Sequence, residues 1–171
     1  MRIHFLIPSV LVLALLQSCS DEVESPTENH KRLLAGDPGK SKSWKLLSGN
    51  AYSGADPDPI EMAFEECFLD NIYTFTNSEA QPYTTIEGDS KCDNNDPAEI
   101  ERGFWAFVEN HEKLLISAND LIHLDQSLFG KFSSPPATVL LLNESEMELE
   151  FDYTQTGVPD GTFRFRFEAV H

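Results

Sequence analysis

Residues 146–153 read Glu146-Met147-Glu148-Leu149-Glu150-Phe151-Asp152-Tyr153, and residues 161–167 read Gly161-Thr162-Phe163-Arg164-Phe165-Arg166-Phe167. In the first stretch Met147, Leu149, Phe151 and Tyr153 alternate with carboxylates. In the second, Phe163, Phe165 and Phe167 alternate with Thr162, Arg164 and Arg166. Successive side chains of a strand point to opposite sides, so each alternation places one apolar and one charged face. Two such strands separated by the turn-rich Gly157 to Gly161 predict an antiparallel hairpin, one face on a core and the other in water. Setting Phe151 opposite Phe163 gives an index sum of 314, which puts Leu149 opposite Phe165, and Glu150 and Glu148 opposite Arg164 and Arg166. An odd sum would oppose phenylalanines to carboxylates and is disallowed, because a one-residue slip turns every side chain to the other face.

Working back from that hairpin, the chain repeats short β-rich runs between turn signals. Thr138 to Leu142, Leu121 to Asp125, Lys113 to Ser117, Arg102 to Val108, Tyr83 to Glu87 and Asn71 to Thr76 each read as strands. A strand is also expected to begin around Cys67. Ser41 to Leu47 alternates with Trp44 and Leu46 on one face, a first strand. Residues 48–61, with Gly49, Gly54, Pro57 and Pro59, read as a loop. His30 to Ala35 can form one or two helical turns, with Asn29 as N-cap and Gly36 as stop. Eight or nine strands after one short helix, with turns at regular intervals, predict an all-β protein. A meander of hairpins favours closure into an antiparallel up-and-down barrel of about eight strands, which removes the edges.

The N-terminus carries an address. Arg2 is the only full charge before residue 21, and Phe5 to Leu16 is nearly all apolar but too short for a hydrocarbon core that needs about 20 residues. This is the pattern of an export signal. Leu16-Gln17-Ser18-Cys19 resembles the lipobox of bacterial lipoproteins. That resemblance implies a signal peptide over residues 1–18 and acylation of Cys19, so that the protein meets the membrane through acyl chains. Several chains hold stably where one holds marginally. The alternative is an ordinary export signal with a coincidental cysteine. Residues 19–29 are acidic with little to bury and read as a flexible tether, leaving residues 30–171 as one domain. Asp21-Glu22 behind the cysteine resembles a surface-export signal of some Gram-negative lipoproteins. The expected location is therefore the bacterial cell envelope, as an outer-membrane lipoprotein and a candidate for surface exposure.

The whole chain has 12 Lys+Arg against 29 Asp+Glu, a net charge of −17, and loss of Arg2 with the signal makes it −18. Such a chain repels phosphate backbones, which argues against nucleic-acid partners. With Cys19 acylated, Cys67 and Cys92 remain as an even pair in an oxidising compartment. A disulfide there would close a loop of about 26 residues and contribute roughly 3–4 kcal/mol. The rival, a metal pair, lacks close Cys or His partners.

No catalytic constellation stands out. His30, His111, His123 and His171 are far apart in sequence, and His123 reads as a structural residue. No nucleophile elbow or phosphate-cradling loop occurs. Asp56 with Asp58 could bind a cation, but such a pair is more often a solvated turn; Asp93-Asn94-Asn95-Asp96 offers calcium oxygens but lacks the ligand ladder and glycine of a calcium loop. No enzyme activity, cofactor or metal is expected.

Four stretches together resemble the lipocalin-like domains of bacterial envelope lipoproteins. They are Leu33-Leu34-Ala35-Gly36 leading to Lys42-Ser43-Trp44-Lys45-Leu46; Cys67 with Asp70-Asn71-Ile72-Tyr73-Thr74-Phe75; Gly103-Phe104-Trp105-Ala106-Phe107; and Leu142-Asn143-Glu144-Ser145-Glu146-Met147-Glu148-Leu149. The resemblance implies an eight-stranded barrel that holds a small apolar ligand. The chain departs from the wider lipocalin pattern at Lys42, where glycine is usual two residues before the tryptophan, and by carrying Gly-x-Trp at Gly103 to Trp105. In lipocalins an arginine near the barrel's end packs on the first-strand tryptophan, whereas alternation points Arg164 and Arg166 outward.

Inward candidates are Trp44, Tyr73, Phe75, Trp105, Phe107, Phe151, Phe163, Phe165 and Phe167. Of these, Tyr73, Phe75, Trp105, Phe107, Phe151 and Phe165 are the candidate ligand contacts. So many rings argue against a deep, wide pocket and predict a mostly packed base near Trp44, with at most a shallow apolar recess at the other end. The expected function is a membrane-anchored, ligand-binding barrel. The alternative is a non-enzymatic surface module with a filled interior that meets another envelope protein.

Overall fold

The computed structural model describes residues 25–53, 56–92, 97–117, 136–153 and 161–170. The export signal, Cys19, Asp93 to Asp96, the strand expected over Leu121 to Asp125, His123 and His171 lie outside these residues.

The C-terminal hairpin sets the frame. β8 (Glu146–Tyr153) pairs antiparallel with β9 (Gly161–Val170), Phe151 opposite Phe163, Leu149 opposite Phe165, Glu150 opposite Arg164 and Glu148 opposite Arg166. The index sum is the expected one. Arg164 reaches Glu150 across the strands at 2.6 Å, while Arg166 leans diagonally to Glu146 at 3.1 Å rather than to Glu148. Each such outward pair contributes about 0.2–1 kcal/mol.

β1 (Ser41–Ser53) lies along the other edge of β9, with Leu46 opposite Phe167, Gly49 opposite Phe165 and Ala51 opposite Phe163. Its far edge takes two partners in succession. Its last residues pair with β2 (Asp56–Glu61) and its first with β3 (Ile72–Thr76). β2 and β3 are therefore two halves of one wall, interrupted by an excursion that carries α2 (Glu66–Leu69). The meander continues through β4 (Pro82–Ile86), β5 (Glu99–Val108), β6 (Lys113–Ile116) and β7 (Ala137–Leu142) to β8. Counting β2 and β3 as one wall, eight antiparallel walls close through β1–β9 into a barrel.

Residues 48–61, expected to be a loop, instead supply the second half of β1 and all of β2. Pro57 and Pro59 are tolerated because, among the described residues, β2 pairs with β1 alone and no described neighbour needs their missing donors. The strand expected around Cys67 is the turn of helix α2. Its cysteine is bonded to Cys92 with the Cα atoms 5.3 Å apart, so the disulfide ties the excursion to the segment after β4.

α1 (Pro26–Ala35) starts earlier than the sequence suggested. Ser25, not Asn29, is the N-cap, and its hydroxyl accepts from the Glu28 amide at 3.2 Å. Pro26 fits the first turn because its missing N–H would be unpaired there. Of the residues read as tether, Pro26 to Asn29 are thus helical. The helix stops at Gly36, whose φ of 83° suits glycine and whose N–H donates to Arg32 O at 2.8 Å.

The turns Thr76 to Pro82, Val108 to Lys113 and Leu142 to Glu146 gather at one end of the barrel, where α1 packs against β1, β3 and β7. We call this the helix end. Ser53, Ile86, Ile116 and Tyr153 finish their strands at the opposite end, the loop end.

Candidate functional site

At the helix end the core is closed from outside by α1. Leu34 and Ala35 are fully buried against it. The indole N–H of buried Trp44 donates to Leu34 O at 2.8 Å, the Lys42 ammonium donates to Leu33 O at 2.8 Å, and Asn77 donates to Gly36 O at 2.8 Å. The last carbonyls of the helix, which have no partner within it, are thereby satisfied by the barrel wall. Lys42 also stands 4.5 Å over the Trp44 ring. A cation does pack on the first-strand tryptophan, but it comes from the same strand two residues earlier. Arg164, pointing outward as expected, sits instead over the Tyr52 ring. Burial pulls the Lys42 ammonium below its usual pKa, and the nearby Glu144 carboxylate opposes that shift. Glu144 is itself held below the usual carboxylate range, first by its hydrogen bond from Arg32.

The turn that leads out of β5 is unusual. Glu109, Asn110 and His111 all have positive φ, at 50°, 57° and 75°. Left-handed backbone costs non-glycine residues roughly 1–2 kcal/mol each. The turn delivers His111 to α1, where its Nε2 shares a hydrogen bond with Thr27 and its ring stands 5.8 Å from that of His30.

The six candidate ligand contacts do not form one group. Phe75, Trp105 and Phe107 belong to the helix end: Trp105 donates to Thr76 O at 3.1 Å and packs on Phe75 and Phe107, and Phe107 meets His30. Phe151 and Phe165 belong to the loop-end half of the β8–β9 hairpin and touch edge-on at 5.7 Å. Tyr73 lies between, its ring edge-on to Phe167 at 5.5 Å.

The loop-end group gains a member the sequence did not reveal. Phe64, from the excursion between β2 and β3, tilts against Phe165 at 6.3 Å. It fits because Gly49 faces it. A Cβ at Gly49 would stand 2.9 Å from both the Phe64 and the Phe165 rings. The resulting floor is Phe163, Phe165 and Phe167, all buried. Phe64 and Phe151 are half-buried above it, and Ile60, opposite Ala51 on the interior side of β2, is 68% exposed. The helix end is sealed, whereas these described residues leave apolar surface accessible at the loop end.

One wall of the interior is polar. Thr85 faces Glu101 across β4 and β5, and Tyr73 faces Thr85 across β3 and β4. The buried Tyr83 hydroxyl shares a 2.6 Å hydrogen bond with Thr85 Oγ1 and donates to Glu101 Oε2 at 3.3 Å. Burial first, and the Glu101 charge second, push both tyrosine hydroxyls well above their usual pKa, so both keep their protons. Neither Tyr83 nor Glu101 was among the expected site residues, although the alternation Tyr83-Thr84-Thr85 carried the signal for the tyrosine.

Among the described residues the group with metal-ligand spacing is Glu65, Cys67 and Cys92. The disulfide occupies both sulfurs, and a zinc site needs thiolates. No family profile matches the chain and no curated protein matches it in sequence.

Proposed function

We propose that this chain is a lipid-anchored, lipocalin-like barrel of the bacterial cell envelope whose non-catalytic role is to bind a small apolar ligand at the loop end. The observation that carries the reading is the half-buried pair Phe64 and Phe151 above a buried phenylalanine floor, opposite the end that α1 seals. Such a site is apolar and partly open, and suited to a flat or partly enclosed molecule. The lipobox at Leu16 to Cys19 supports the anchor, and the acidic body is consistent with a domain held off an anionic membrane. Native mass spectrometry of the acylated protein taken from an envelope extract tests the binding reading. The expected result is an apolar adduct that Phe64→Ala or Phe151→Ala abolishes. Repeated absence of any adduct overturns it.

A second reading, an accessory module that meets another envelope protein, is favoured by one different observation. Phe104 stands 59% exposed on the outer face of β5, opposite Pro82, so an apolar spot faces outward there.

A further inference from the structure

We infer that the ligand carries a cationic or hydrogen-bond-donating head, received inside the barrel by Glu101 with Tyr83 and Thr85. This rests on the ligand-binding reading and specifies the class of molecule. The three polar groups project from adjacent strands onto the interior face: Thr85 lies directly opposite Glu101, and Tyr83 bonds to both. Glu101 is two residues from the start of β5 and so near the loop end, and it is only partly buried whereas Tyr83 and Thr85 are fully so. Tyr73, opposite Thr85, bridges this polar spot to the phenylalanines through its edge-on contact with Phe167. The wall therefore presents a carboxylate beside aromatic rings.

That combination has a sign. An ammonium group donates a charge-assisted hydrogen bond to the carboxylate and gains cation–π attraction from the rings. A hydroxyl donor gains a weaker hydrogen bond. A carboxylate or phosphate head meets like charge in a poorly solvated place and is disfavoured. The whole chain's net charge of −17 favours cations at long range as well, but salt near physiological strength screens that contribution while leaving the local one.

The experiment is calorimetric titration of the full chain, at physiological ionic strength, with three probes of one shape: phenylbutylammonium, phenylbutanol and phenylbutyrate. The expected order is ammonium, then alcohol, then carboxylate, with about tenfold or more between the first and last. Glu101→Gln should bring the ammonium close to the alcohol, and Tyr83→Phe should weaken the ammonium by a smaller factor, near-ultraviolet circular dichroism confirming that each variant is folded. Equal binding of the three probes overturns the inference while the ligand-binding reading stands. An ammonium preference that survives in folded Glu101→Gln also overturns it, since the selectivity then comes from elsewhere. Binding of no probe overturns both. Where a variant fails to fold, an equal or reversed probe order in the unmodified chain still overturns the inference.

Discussion

Trp44→Phe isolates what joins α1 to the barrel. The indole of Trp44 is fully buried, and its N–H holds the Leu34 carbonyl at 2.8 Å. Phenylalanine keeps most of the apolar ring but leaves that carbonyl unpaired in the core, at a cost of about 1–3 kcal/mol. The lost ring volume adds roughly 1 kcal/mol through the small cavity it leaves. A smaller ring under the Lys42 ammonium, 4.5 Å away, weakens a contact worth about 0.5–1 kcal/mol. The expected destabilisation is about 2–4 kcal/mol, a shift of roughly 1–2 M in the urea midpoint for ordinary slopes. The loss should also be local. Hydrogen exchange should show α1 amides losing protection well before those of β8 and β9, because the hairpin keeps its own ladder and ring contacts. A midpoint unchanged within error, or equal loss of protection in α1 and the hairpin, would refute the idea that Trp44 is the principal tie.

Other outcomes follow from the same structure. Reducing the Cys67–Cys92 disulfide, or replacing both cysteines with alanine, should lower stability by roughly 3–4 kcal/mol through the freed loop, read as a thermal midpoint with and without reductant. Tyr73 and Tyr83 have folded-state pKa values raised above the ordinary 10.0, so their contribution is complete below pH 10 and is lost as the pH climbs through the folded values. Tyrosinate absorbance should therefore show these two residues ionising together with unfolding, and a free titration of all tyrosines near pH 10 in the folded protein would contradict their burial. Cys19→Ala should move the protein from the detergent phase to the aqueous phase and remove acyl mass from its N-terminal peptide, whereas wild-type protein recovered unacylated from the aqueous phase would sink the anchor reading.

The barrel was legible where one apolar face alternates with one charged face. Alternation fixed the parity of the β8–β9 register, since any odd slip would have buried carboxylates, and setting Phe151 opposite Phe163 gave the register itself. The second half of β1 and the whole of β2 were hidden because Gly49, Pro57 and Pro59 carry the composition of a loop. Gly49 is needed where two rings crowd the backbone, and the prolines are harmless on a strand paired along one edge. The early start of α1 was readable in Ser25-Pro26-Thr27-Glu28, an N-cap, a first-turn proline and an acidic residue, but the surrounding acidity read as tether. The candidate site was legible as a set of inward aromatics and not as a place. Which rings share an end depends on strand direction and on an excursion that brings Phe64 back inside, and neither is written in local periodicity. Lys42 over Trp44 and the Tyr83–Glu101 contact are likewise pairings between residues whose individual patterns look ordinary.

The most direct test of a binding site at the loop end is a fluorescence titration of the full chain with the neutral apolar dye N-phenyl-1-naphthylamine, repeated on Phe64→Ala, Phe151→Ala and Phe107→Ala. Phe64 and Phe151 flank the proposed recess, whereas Phe107 packs near α1 at the sealed end. The account predicts saturable binding that weakens about tenfold in the first two variants, as loss of a large aromatic contact would give, and is unchanged in folded Phe107→Ala. Binding that is absent, or that depends on Phe107 and not on Phe64 and Phe151, would contradict it.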